Sequence, residues 1–145
     1  MQQLQIDGYY SAVEYQNTTR PIEFNFCKSL YNSGAVCNEN IYAGLLRYIG
    51  NTTIAKCDEP LSGAVTSTDS NGAIEFNILE DNSNDINLPS GVRLEYKGSP
   101  NGDYVRMNIY CSAEEFLFSG KYWEHTDPTS NVFYADITIN SKYAC

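Results

Sequence analysis

Basic residues are scarce. The 145-residue chain has nine Lys and Arg against eighteen Asp and Glu, a net charge of −9 at pH 7. There is no basic stripe to neutralise phosphates, which argues against nucleic-acid binding. Histidine occurs once, at His125, and no CxxC is present. A structural zinc site needs paired, closely spaced ligands, so none is expected, and no cofactor is expected either. No apolar run is long enough to span a membrane as a helix, and the opening Met1-Gln2-Gln3-Leu4-Gln5 is not the apolar stretch of a signal peptide. There is no nucleophile elbow. Glu114, Glu115 and Glu124 are the carboxylates that a glycosidase reading would use. Adjacent residues of a strand face opposite ways, so Glu114 and Glu115 cannot converge. The chain reads as non-catalytic.

Strand-forming residues dominate what is there. Twelve Tyr, six Phe and many Thr, Val and Ile favour strands. Fifteen Asn, ten Gly and five Pro supply turns, while Ala, Leu, Glu and Lys are sparse. The composition fits one globular domain. Residues 1–21 read as an arm or edge strand and 22–145 as the β domain. Ile22-Glu23-Phe24-Asn25-Phe26 alternates, placing Ile22, Phe24 and Phe26 inward. Residues 41–49 fit a helical turn or a strand. Ala73 to Leu79 reads as a strand after an Asn71-Gly72 turn, and 80–90 as an acidic loop. Val92, Leu94 and Tyr96 share one face. Val105, Met107, Ile109 and Cys111 share the next inward face, with Arg106, Asn108 and Tyr110 opposite. Phe116 to Phe118 suggests a short strand, and Phe133, Ala135, Ile137 and Ile139 line a final one. Five to nine short strands between Gly and Asn turns indicate an all-β sandwich or flattened barrel.

The five cysteines, Cys27, Cys37, Cys57, Cys111 and Cys145, read as disulfides of an oxidising compartment. The odd number leaves one thiol over. Cys27 is expected to pair with Cys37 or Cys57. Two N-glycosylation sequons, at Asn17 and Asn51, fit a secreted protein, although this Asn, Ser and Thr content yields about two by chance. Glu80 to Asp85 lacks the spacing of a calcium loop and reads as solvated.

The cysteine-bearing strands resemble the mannose 6-phosphate receptor homology domain. The residues carrying the likeness are Ile22-Glu23-Phe24-Asn25-Phe26-Cys27, Ala35-Val36-Cys37-Asn38, Leu94-Glu95-Tyr96-Lys97-Gly98-Ser99, the strand from Val105 to Cys111, and the last strand closing on Ala144-Cys145. It covers residues 22–145, and order and spacing carry it more than any single motif. It implies a flattened β-barrel of two crossed antiparallel sheets and a last disulfide Cys111–Cys145. Both cysteines of the family's other late disulfide are missing together. The family usually bonds the Cys27-type cysteine to one further N-terminal, and residues 1–26 contain none.

The resemblance also implies a mannose site of Gln, Arg, Glu and Tyr, groups that satisfy vicinal hydroxyls in pairs. Carried over singly, the Gln falls on Asn38 and the Glu on Glu124. The Arg lands on Asp103 and the Tyr on Ala135. Arg106 and Tyr134 stand nearby with the wrong strand parity, so they serve only if a bulge re-registers them. An Asp in place of the Arg repels phosphate. Arg106 otherwise reads as a solvated strand residue, Asn38 as a turn cap, Trp123 as core and His125 as a surface loop residue able to make binding pH-sensitive. The expectation is a non-catalytic domain of this type with a degenerate mannose 6-phosphate site. It would be a protein-interaction or structural module in the secretory lumen or cell exterior, cut from a larger receptor or membrane complex. The alternative is a lectin for mannose-containing N-glycans.

Overall fold

The computed structural model describes residues 2–16, 20–49, 55–63, 74–79 and 90–145. Asn17, Asn51, the Asn71-Gly72 turn, Ala73 and the acidic residues Glu80 to Asp85 lie outside the described residues. The described chain is all-β. Its strands are β1 (Tyr10–Glu14), β2 (Ile22–Phe24), β3 (Ala43–Tyr48), β4 (Ala55–Pro60), β5 (Ile74–Leu79), β6 (Gly91–Tyr96), β7 (Tyr104–Cys111), β8 (Lys121–Thr126) and β9 (Phe133–Ser141). They form one curled sheet in the order β4-β3-β2-β1-β8-β9-β7-β6-β5. The flattened, disulfide-bonded barrel is therefore a half-barrel, and it is mixed, since β1–β8 and β7–β9 run parallel. Beyond β4, Gly63 N–H donates to the Lys97 carbonyl at 2.7 Å and Ser99 Oγ to the Pro60 carbonyl at 2.7 Å. These bonds draw one limb of the curl towards the β6–β7 turn without a strand ladder.

Alternation sorts the inner face. Ile22, Phe24, Leu45, Leu94, Tyr96, Val105, Met107, Ile109, Ala135, Ile137 and Ile139 are fully buried in one core. Each large apolar side chain removed from water contributes about 1.5–3 kcal/mol. Tyr10 stacks on Phe24, and Phe26, Phe116 and Phe118 pack against them edge-on or tilted at one end of it. Tyr96 crosses the core. Its hydroxyl accepts from Cys27 N–H at 2.9 Å and donates to the Asn25 carbonyl, and its ring stacks on Tyr42 with centres 5.1 Å apart. Asn25, also buried, donates to the carbonyls of Ile6 and Gly8 at 2.9 and 3.0 Å. It thereby holds down the N-terminal segment.

A smaller core of Leu30, Ala35, Cys37, Ile41 and Leu46 surrounds a disulfide between Cys37 and Cys57. Glu23, buried on β2, fixes the approach to it by accepting from Val36 and Cys37 N–H at 2.9 and 2.8 Å. Residues 43–48 are a strand rather than a helical turn. Gly44 lies directly beneath the Cys37 side chain, where any Cβ would collide with sulfur.

Several expectations are corrected. Cys27 is not bonded to Cys37. It is the unpaired cysteine, half-buried, because Cys37, in the loop before β3, is bonded over that strand to Cys57 of β4. Cys111 is bonded to Cys145. The N-terminal residues supply no edge strand: β1 is interior, paired with β2 and β8. Phe116 to Phe118 contributes only a bridge from Leu117 to Asn140. Trp123 is not core. It is 46% exposed, because its parity on β8 is that of the outer face while Tyr122 points inward.

Two outcomes are expected. The unfolded, unreduced chain reacts with one equivalent of thiol reagent, at Cys27, and a reactive Cys37 or Cys111 contradicts the pairing. Tyr96→Phe lowers the free energy of unfolding by about 1–3 kcal/mol in denaturant titration, because it strands a buried carbonyl and N–H.

Candidate functional site

Strand parity divides the candidate residues. On the outer face, register sets Glu95 of β6 beside Arg106 of β7, and Arg106 beside Asp136 of β9. Tyr104 faces Tyr134, and Tyr134 faces His125 of β8. The Arg106 guanidinium lies 4.9 Å from the Tyr134 ring centre and 3.4 Å from a Glu95 oxygen. Tyr134 is sandwiched between Tyr104 and His125, with ring centres at 4.9 and 5.2 Å. His125 Nε2 stands 3.7 Å from Asp136. Asn108 donates to Asp136 at 2.8 Å and accepts from Arg93 at 2.8 Å.

Burial pushes the Asp136 carboxyl up, and His125, Arg106 and Arg93 partly offset the rise. Burial, then the hydrogen bond to Asp127, pushes Tyr104 up to about 12. The group is a braced polar-aromatic ladder whose charges are largely engaged with one another.

Glu124 is elsewhere. It sits opposite Ala135 in the β8–β9 register and shares the parity of buried Tyr122, the inner face. Its partner is Arg20, 2.8 Å away, with both side chains about one-third exposed. Arg20 also caps the Phe133 ring at 5.1 Å, and its carbonyl accepts from the Tyr122 hydroxyl at 2.5 Å. Asn38 is exposed in the loop after Cys37, where its Oδ1 accepts from Asn32 N–H at 2.6 Å. It caps a turn.

The structure thus brings Arg106 and Tyr134 together. It leaves Glu124 on the opposite face of the sheet and Asn38 in a separate loop. No bulge re-registers either strand, since β7 pairs with β9 without interruption from Tyr104 to Cys111. Asp103, where the resemblance placed an Arg, accepts from Phe133 N–H at 3.0 Å. His125 lies on a strand, not in a loop, although it is exposed as expected. Sequence reading missed Arg20. Its only signal was a cation just before Pro21 and the first clear strand, and the pairing with Glu124 spans 104 positions.

At the edge of the outer face, the Asp127 carboxylate accepts from the Thr129 hydroxyl and N–H at 2.6 and 2.9 Å and from Tyr104 at 3.2 Å. Among the described residues no group of three or more His, Cys, Asp or Glu is arranged to hold a metal ion. Neither the known family models nor the curated proteins contain a match to this chain.

The Thr129 hydrogen bonds hold Asp127 down at about 2, from an ordinary 3.8. A carboxyl depressed in the folded state contributes stability that is present above its unfolded value and is lost as pH falls through the folded one. Asp127→Asn is therefore expected to flatten the fall in urea midpoint between pH 3.8 and about 2. An unchanged acid slope refutes the assignment.

Proposed function

We propose that the chain is a non-catalytic module of the mannose 6-phosphate receptor homology type. In this reading it serves as a protein-interaction or structural part of the luminal or extracellular portion of a larger receptor or membrane complex, and its mannose 6-phosphate site is degenerate. The observation that carries the reading is the separation of the four carried-over residues. A pyranose is held by side chains converging on vicinal hydroxyls. Arg106 and Tyr134 share the outer face with Glu95 and Asp136, whereas Glu124 is engaged with Arg20 on the other face and Asn38 with its own turn. The disulfides Cys37–Cys57 and Cys111–Cys145 suggest an oxidising compartment, in keeping with the lumen or cell exterior.

One observation favours the lectin alternative. Arg20 and Glu124 form a partly exposed cation–carboxylate pair beside an aromatic ring, and such a pair can open to take two hydroxyls. The two readings part in calorimetric titration with mannose 6-phosphate and with a high-mannose oligosaccharide, at pH 5 and pH 7. No saturable heat is expected from the folded chain. Heat abolished by Glu124→Gln overturns the proposal and establishes the lectin. The variant itself costs about 1 kcal/mol or less, as for a solvent-screened pair, so a loss of heat is not a loss of fold.

A further inference from the structure

The inner face of the sheet runs out beyond the core at one end. β5 is an edge strand: among the described residues its only ladder partner is β6. Register sets Phe76 beside Leu94 and Ile78 beside Val92, so both carry the parity of the core. Yet Phe76 and Ile78 are 52% and 73% exposed, whereas Ile74 packs against the core. A hollow of about 320 Å³ continues this apolar strip past Val92 to Tyr143. An apolar row beside an unpaired row of backbone donors and acceptors is a template for another strand.

The two edges of the sheet are guarded differently. β4, at the other end, carries Lys56, closes on Pro60 and pairs with β3 through a bulge between Leu45 and Leu46. Lysine, proline and bulges all blunt an edge. β5 reads Ile74-Glu75-Phe76-Asn77-Ile78-Leu79. It has no Lys and no Pro, and its pairing with β6 runs through without a register shift. Its one charge, Glu75, has the parity of the outer face, where Lys97 holds it at 2.7 Å.

The order of these residues selects the occupant. Ile74-Glu75-Phe76-Asn77-Ile78 has the same pattern in both directions about Phe76. Two antiparallel copies related by a two-fold axis at Phe76 set each residue opposite its mirror position. On the inner side Ile74 then faces Ile78 of the second copy, twice, with the two Phe76 rings between them. On the outer side Glu75 faces Asn77 of the second copy, again twice. Within one chain the Asn77 amide already donates to Glu75 at 3.1 Å, and the same bond forms across the axis. No charge meets its like. An axis at Asn77 instead sets Glu75 opposite Leu79, so Phe76 is the better centre. The N–H and C=O groups of β5 that point away from β6 meet their own counterparts in this arrangement, so the ladder closes. An unrelated strand has to supply this pattern, whereas a second copy contains it.

We propose that β5 is a homodimer interface: two copies pair antiparallel through residues 74–78, centred on Phe76, and join their half-barrels into one continuous sheet. Each copy offers one unguarded edge, so the assembly closes at two. The interface goes beyond the interaction-module reading and uses none of the residues on which the mannose titration turns.

Sedimentation of the whole folded chain is followed across a concentration series, together with amide hydrogen exchange in β5. The mass is expected to rise from one copy to two, and β5 exchange to slow as the dimer fills. Ile78→Lys sets an ammonium against Ile74 in the apolar row, and Phe76→Lys sets two ammonium groups face to face. Each is expected to weaken the dimer about tenfold. Both positions are more than half exposed, so amide dispersion of the monomer is expected to be unchanged. Leu117→Lys, at an exposed apolar residue outside β5, is expected to leave the dimer as it is. Each lysine reduces the net charge of −9, so a general charge effect favours association and does not imitate the loss. A single copy at every concentration overturns the proposal. So does a dimer that either β5 lysine leaves intact, or that Leu117→Lys weakens equally, since the interface then lies elsewhere.

Discussion

The two limbs of the curled sheet meet through the Tyr96 hydroxyl. On one side is β6, which belongs to the limb with β7 and β9. On the other are Asn25 and Cys27, just beyond β2. A phenol buried completely in an apolar core tolerates neither an unmet donor nor an unmet acceptor. Here it meets a carbonyl and an N–H that have left the β2 ladder and need partners of their own. The bond therefore satisfies three polar groups at once, and burial raises the Tyr96 pKa well above its ordinary value. Tyr42 stacks beneath the ring, so β3 is tied to the same point. Asn25 extends the tie outward to the N-terminal segment.

Around this clamp the disulfides act locally. Cys37–Cys57 ties the loop before β3 to β4 inside its own small core, and Gly44 is the residue that lets the chain pass beneath the sulfur. Cys111–Cys145 ties the end of β7 to the turn after β9. On the chain-entropy account each such crosslink contributes about 3–4 kcal/mol by restricting the unfolded chain. Neither bridge joins the two limbs, so hydrophobic burial, the Tyr96 bonds and the Gly63–Lys97 and Ser99–Pro60 bonds hold them together.

The same parity that builds the core disperses the carried-over sugar ligands. Val105, Met107 and Ile109 face inward, which commits Arg106 to the outside. Ala135 and Ile137 do the same for Tyr134 and Asp136. Tyr122 faces in and takes Glu124 with it. Outside, the charges settle into a ladder with aromatic rings between them. Inside, Glu124 settles on Arg20. The exposed aromatics Tyr15 and Trp123 stack beside this ladder, Trp123 opposite Asp136.

Alternation and composition alone determined the all-β class, the inward faces of β2, β7 and β9, the outward parity of Arg106 and Tyr134, and the turn role of Asn38. Those properties follow from the two-residue period of a strand, which is local. The last disulfide, Cys111–Cys145, came from likeness of order and spacing rather than from any local rule. Only the tertiary structure decided the rest. Cys37 meets Cys57 because the loop before β3 folds back over Gly44 to reach β4, and no local pattern separated that pairing from one with Cys27. Trp123 lies outside although its size suggested the core, because its neighbour Tyr122 took the inward position. β1 is interior because it pairs in parallel with a strand more than a hundred residues away. The Arg20–Glu124 pair depends on that same closure. Contacts of such sequence separation are set by which faces the curled sheet must bury together, a property of the whole chain that no window of residues contains.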